Sequence, residues 1–123
     1  MSSTWDWHTL EGPCVVRHAG RYYCFFSGAC FGNSSDEVDY LVAESITGPW
    51  SVAGGESGPR VLRSIPGSVD GPGHNSWFVG PDSGEYLAYH AWDIQGKVRR
   101  MHINRLIWTP SGPRCPVTIG LKI

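Results

Sequence analysis

The sequence is short of charge, of helical periodicity and of paired cysteine motifs, and each shortage excludes a class of protein. Charged side chains make up 17% of the 123 residues and leave a net charge of -1, below the usual quarter for a globular domain. No basic stripe runs along any segment, which argues against a nucleic-acid partner. No apolar stretch approaches the ~20 residues that cross a bilayer as a helix, so no membrane span is expected. The opening residues, "MSSTWDWHTL", lack the basic end and apolar stretch of a signal peptide. As written, the chain is expected in the cytoplasm or was cut from something longer. Cys14, Cys24, Cys30 and Cys115 contain no CxxC pair, so a zinc or thioredoxin-like role is weakly supported.

What the chain has in abundance is aromatic and turn-forming residues: six Trp and five Tyr beside 16 Gly and 9 Pro. Gly or Pro breaks every helical apolar period. Short runs rich in β-branched and aromatic residues recur instead, among them "CVVRH", "RYYCFFS", "VDYLVAES", "RVLRS", "HNSWFVG", "EYLAYHAW" and "RRMHINRLIW". Turn chemistry separates them. The fold class is all-β, in a single domain of ordinary size over residues 1–123. If Ala19-Gly20 is a two-residue hairpin turn, Val15 lies opposite Cys24 and Cys14 opposite Phe25. Cys14 and Cys24 then point to opposite sheet faces and cannot bridge, so free thiols are expected.

Two halves of the chain read alike. "EGPCVVRHAGRYYCFFSG" (11–28) is loop, strand, tight turn and aromatic strand, and "GHNSWFVGPDSGEYLAYHAW" (73–92) repeats that order. Each is followed by further strands, giving units at about 11–64 and 71–115. Tandem four-strand units are the sequence signature of propeller blades, whose innermost strand lines the central channel. Glu11 and His74 stand where those inner strands begin and are expected to face the axis together. A Glu before Gly-Pro is most often a solvated loop residue, and a lone His most often a structural hydrogen-bonder. The glycines around His74 and its pairing with Glu11 favour a site.

The segments "EGPCVVRHAGRYYCFFSGACF", "VAESITGPW", "GPGHNSWF", "YLAYHAWD" and "RRMHINRLIWTPSGP" resemble, in order and spacing, glycoside hydrolase family 43. These are the five-bladed β-propeller arabinanases, arabinofuranosidases and xylosidases. The resemblance covers about residues 5 to 116. It implies inverting hydrolysis of arabinose- or xylose-containing glycans by a Glu general acid, an Asp general base and a second Asp that tunes the acid. Glu11 matches the acid motif. His74 matches the axial His that in many members helps hold a calcium ion or a water, so weak calcium binding is a possible cofactor requirement.

The base and modulator motifs of the family precede the Glu-Gly-Pro and are missing from this chain. Asp6, Asp70 and Asp93 are candidates for the base by residue type only. The chain is therefore expected to be a partial propeller, about two four-stranded blades plus remnants, inactive alone. A carbohydrate-binding half-propeller and a hydrolase completed by a partner chain are the alternatives. Trp5 and Trp7 are candidates to line the sugar site, with His90 near the channel. Trp77 and Trp92 are candidates for stacking on sugar, against a favoured role in packing between blades. Open blade faces predict a homo-oligomer with contacts through "STWDWHTL" and "PVTIGLKI".

Overall fold

In a computed structural model of the chain, the described residues are 9–29, 37–52, 59–65, 69–93 and 95–116. They contain eight strands and no helix: β1 (Thr9–His18), β2 (Arg21–Ala29), β3 (Glu37–Ala43), β4 (Gly73–Val79), β5 (Glu85–Trp92), β6 (Arg99–Arg105), β7 (Ile107–Thr109) and β8 (Gly112–Arg114). β1-β2-β3 and β4-β5-β6 form two antiparallel three-stranded sheets, and β7-β8 is a separate hairpin. The sheets do not close on themselves, and the architecture is a partial β-propeller.

Ala19 and Gly20 both take positive φ, which suits a two-residue hairpin turn to the strand twist. The register it sets puts Cys14 opposite Phe25 and Val15 opposite Cys24, as the turn length predicts. Cys14, Cys24 and Cys115 are free thiols. Two sequence runs behave differently from expectation. "RVLRS" makes only an isolated bridge, Val38↔Leu62, which with Val42↔Ser51 occupies the outer edge of β3. "RRMHINRLIW" divides at Leu106, which is buried and donates its amide to the Glu85 carbonyl. β7 and β8 can then leave the second sheet and pack over the core.

Strand alternation explains the burial. Val16 of β1, Phe25 and Ser27 of β2, and Val38, Tyr40 and Val42 of β3 share one face, and all are buried. That face meets Trp77 of β4 and Leu87, Tyr89 and Ala91 of β5. Trp108 of β7 completes the core. Its indole stacks flat on His18 at 3.8 Å and meets Tyr23 edge-on at 4.8 Å. Glu85 holds both indoles, accepting from Trp77 Nε1 at 3.1 Å and from Trp108 Nε1 at 2.8 Å. Each indole N–H thus keeps a partner as its ring is buried.

His102 of β6 stacks on Tyr89 at 5.5 Å, and burial holds its pKa below the ordinary histidine value. The unfolded chain therefore binds more protons than the folded one as pH falls below ~6.5. Stability from the neutral ring is complete above that pH and is lost as pH falls toward the folded pKa. His90 has the same sign, whereas Glu37, raised by its own burial, has the opposite one. We expect the urea midpoint to drop between about pH 7 and pH 5.5, and His102→Gln to make that drop smaller. An unchanged pH slope in the variant would exclude His102 as a contributor.

Candidate active site

The Glu-Gly-Pro segment lies inside β1 as a bulge, not ahead of the strand as a turn. Glu11 pairs with Ser27 and Cys14 with Phe25, so Gly12 and Pro13 together face the single residue Phe26. Gly12 has φ +65, and a Cβ there would lie 3.0 Å from the His74 Cα and 3.1 Å from the Asn75 nitrogen. Glycine is thus required twice, by the dihedral and by the close approach of β4.

β4 carries the matching bulge. Gly73 pairs with His90 and Ser76 with Ala88, leaving His74 and Asn75 opposite Tyr89. The repeat alignment is therefore shifted by one residue from the sequence expectation. Glu11 corresponds to Gly73, and His74, with φ 46, corresponds to the positive-φ Gly12. Ser27 and His90 occupy equivalent places on the second strands. His74 nonetheless reaches Glu11, because the two inner strands touch at their bulges.

One hydroxyl fixes that contact. Ser27 is fully buried; its Oγ accepts the His74 amide N–H at 2.7 Å and donates to the Glu11 carbonyl at 3.4 Å. Trp77 adds a second tie, donating its amide to Cys14 Sγ at 3.4 Å. The Glu11 carboxylate then lies between two imidazoles, with Oε2 3.8 Å from His74 Nδ1 and Oε1 3.9 Å from His90 Nε2. Its side chain is 26% exposed and that of His74 63% exposed, so the cluster opens to solvent on the His74 side.

His90 is held neutral. Burial is the largest cause of its lowered pKa, followed by the positive charge of Arg99. Arg99 Nη1 lies 3.4 Å from His90 Nε2. An arginine can only donate, so Nε2 accepts and Nδ1 carries the proton, buried and without a partner among the described residues. Arg99 also lies over the Trp92 ring at 5.5 Å. Trp92 and His90 share a face of β5, two residues apart.

The other sequence candidates separate into three groups. Trp77 is on the core face and bonded to Glu85, and so belongs to packing. Asp93 accepts the Lys97 amide at 3.0 Å in the turn before β6, and the Asp70 carbonyl accepts the Trp92 amide. Trp5, Trp7 and Asp6 lie outside the described residues. Ser27 and Asn75 escaped the sequence reading. Asn75 is 3% exposed, and neither side-chain polar atom has a partner among the described residues. Its only signal was its place between His74 and the strand in "GHNS".

The donors near His74 are poorly suited to calcium. Among the described residues no three His, Cys, Asp or Glu side chains converge on a metal position. One carboxylate with two imidazoles is also far from the six to eight oxygens the ion takes.

Ser27→Ala would leave the His74 amide without its acceptor while keeping the side-chain volume close. We expect a loss of about 1–3 kcal/mol in urea denaturation, with Ser27→Thr losing stability through overpacking. An Ala variant as stable as the parent would show that the bridge is not what joins the two sheets.

The chain matches the family described as glycosyl hydrolases family 43 over residues 1–113. It is 30% identical over 116 residues to a β-D-galactofuranosidase of Aspergillus niger, covering 92% of this chain and 33% of that protein. It is 30% identical over 131 residues to an extracellular exo-α-(1→5)-L-arabinofuranosidase of Streptomyces avermitilis, covering 89% of this chain and 26% of that one. It superposes on the crystal structure of a thermostable family-43 glycoside hydrolase with a TM-score of 0.80 and 29% identity, over 96% of this chain and 40% of that one. The chain spans a third or less of the length of the two relatives it matches. The Glu-Gly-Pro strand and its neighbours thus sit inside a match that runs through both sheets, and the chain belongs to glycoside hydrolase family 43.

Proposed function

We propose that this chain carries the acid side of a family 43 glycosidase site, with Glu11 as the proton donor to the leaving glycosidic oxygen. The observation that carries this reading is the carboxyl group of Glu11, set in a rigid bulge of the inner strand between His74 and His90 and open on one side. A proton donor needs a fixed position and a route to substrate, and the bulge with its Ser27 bridge supplies the first. Inverting hydrolysis also needs a base carboxylate about 6.5–9.5 Å from the acid, with a water between them. Asp93 is a poor candidate for that base. Its carboxylate caps a turn, and hydrogen bonds from the Lys97 and other turn amides hold its pKa low. The substrate class we assign is an arabinose- or xylose-containing glycan. Trp92, with Arg99 across its ring, is the aromatic best placed to meet a sugar near Glu11.

This reading predicts no hydrolysis by the chain alone of 4-nitrophenyl α-L-arabinofuranoside or β-D-xyloside. Turnover in a verified monomer that Glu11→Gln abolishes would mean that a base is present after all. Molar azide needs no base and can take the place of the base-activated water, forming the C1–N bond of a glycosyl azide as the glycosidic C1–O bond breaks, without replacing the acid that protonates the leaving oxygen. Slow turnover should then return, and Glu11→Gln should reduce it by about 10²–10⁴-fold for poor leaving groups and hardly at all for 2,4-dinitrophenol. An equal effect on both leaving groups would remove Glu11 from the acid role.

A second reading, self-association, is favoured by the repeat. The β1-β3 face carrying Tyr23, Phe25 and Ser27 is covered by the second sheet. The equivalent face of that sheet carries Tyr86, Ala88 and His90, and beside them Met101 and Ile103 are 76% and 50% exposed. Apolar patches of this kind mark association surfaces, and we propose that a second copy covers this one. Most of the two terminal segments expected to take part lies outside the described residues. Light scattering at micromolar concentration should give a dimer or larger closed assembly, and Met101→Lys with Ile103→Lys should shift it to monomer. A concentration-independent monomer in the parent chain would remove this reading.

A further inference from the structure

The end of the first sheet farthest from Glu11 contains a cavity of about 550 Å³, within the range of small-ligand sites. At roughly 3.3 Å per residue, the run of β1 from Glu11 to His18 separates the two places by on the order of 20 Å. The cavity lies between the β1-β2 turn and the β7-β8 hairpin, so it forms only when the hairpin docks on the first sheet.

Its walls combine three chemistries. Trp108, with His18 stacked flat upon it, and the ring of Tyr23 provide aromatic surface. The Tyr23 and Ser111 hydroxyls and the His18 ring line the cavity and make no hydrogen bond among the described residues. Two guanidiniums, Arg21 and Arg60, also line it, and among the described residues no Asp or Glu does. These two are not equivalent. Arg60 is buried against Asp39 at 2.8 Å, so its charge is matched within the fold. Among the described residues Arg21 is tied only to Glu44, in an exposed pair at 3.0 Å. Such pairs contribute little, and Arg21 can exchange that partner for a ligand carboxylate with two parallel hydrogen bonds.

We propose that this cavity is a second carbohydrate site, distinct from the Glu11 cluster, and that it takes a sugar ring bearing one carboxylate, a uronic acid. Aromatic surface receives the C–H face of the ring, the uncommitted hydroxyls and imidazole meet its hydroxyls, and Arg21 receives the carboxylate. A neutral sugar would leave Arg21 unused, and a small inorganic anion would leave the aromatic wall unused.

The test is an NMR titration of the full chain with methyl β-D-glucuronoside, methyl β-D-xyloside and sodium acetate, each alone. The glucuronoside should shift the Trp108 indole N–H and the Ser111 amide, at concentrations where the other two do not. Arg21→Gln should weaken glucuronoside binding by about tenfold or more, the usual effect of losing a charge-assisted pair. Glu11→Gln should leave it unchanged. A xylo-oligosaccharide with a glucuronic acid branch separates the sources: tighter binding than the methyl glycoside means a glycan-borne uronate, and equal binding a free one, and both support the site. Equal response to xyloside and glucuronoside, equal response to acetate, or unaffected Trp108 and Ser111 signals would each overturn the proposal. An unchanged affinity in Arg21→Gln would do the same.

Discussion

The arrangement depends on the bridge that Ser27 makes between two strands that are not hydrogen-bonded neighbours in either sheet. A buried hydroxyl is stabilising only when its hydrogen bonds are made. Here the same oxygen accepts the His74 amide and donates to the Glu11 carbonyl. That geometry sets how the first sheet meets the second at the inner strands, and everything nearer solvent inherits it. The positive φ of Gly12, the close approach of His74 and the position of the Glu11 carboxylate follow from two bulges facing each other across one hydroxyl.

The repeat explains why a serine and a histidine do different work at the same place. Both sit on the second strand of their sheet, opposite the residue just before a bulge. Ser27 is on a covered face, and a short side chain lets the next sheet come close. His90 is on a face with exposed neighbours, where a longer side chain can reach back toward Glu11. A difference in what lies across the sheet face has turned one structural position into a joint in the first repeat and a neighbour of the Glu11 carboxylate in the second.

The sequence revealed the all-β class, the hairpin register at Ala19-Gly20 and the meeting of Glu11 with His74. Each of those rests on local chemistry: strand alternation, a two-residue turn and glycine-rich strand starts. It did not reveal the one-residue offset between the repeats, because both inner strands carry the same bulge and its positive-φ position is a glycine in one, Gly12, and a histidine in the other, His74. "FFSG" gave no sign that Ser27 is a joint, since a buried serine and a surface serine read alike until the opposing strand is in place. Leu106 splits an apparently continuous strand for a related reason. Its amide goes to Glu85 across the sheet, and no local signal carries that partner.

The electrostatics of the cluster follow from the same packing. A charged imidazole beside a carboxyl group favours the ionised carboxylate, whereas a neutral one does not. His90 is neutral for two reasons that act together, burial and the guanidinium of Arg99. Arg99 in turn is placed by the β5-β6 pairing, which sets it opposite Trp92. The same pairing therefore puts an aromatic surface and a cation at the edge of the site and removes the charge from the imidazole inside it. Glu11 is left with a polar but uncharged neighbour on β5 and an exposed imidazole on β4. In the acid role proposed for Glu11, the exposed His74 stands on the solvent-open side of the carboxyl group and the more buried His90 on the other.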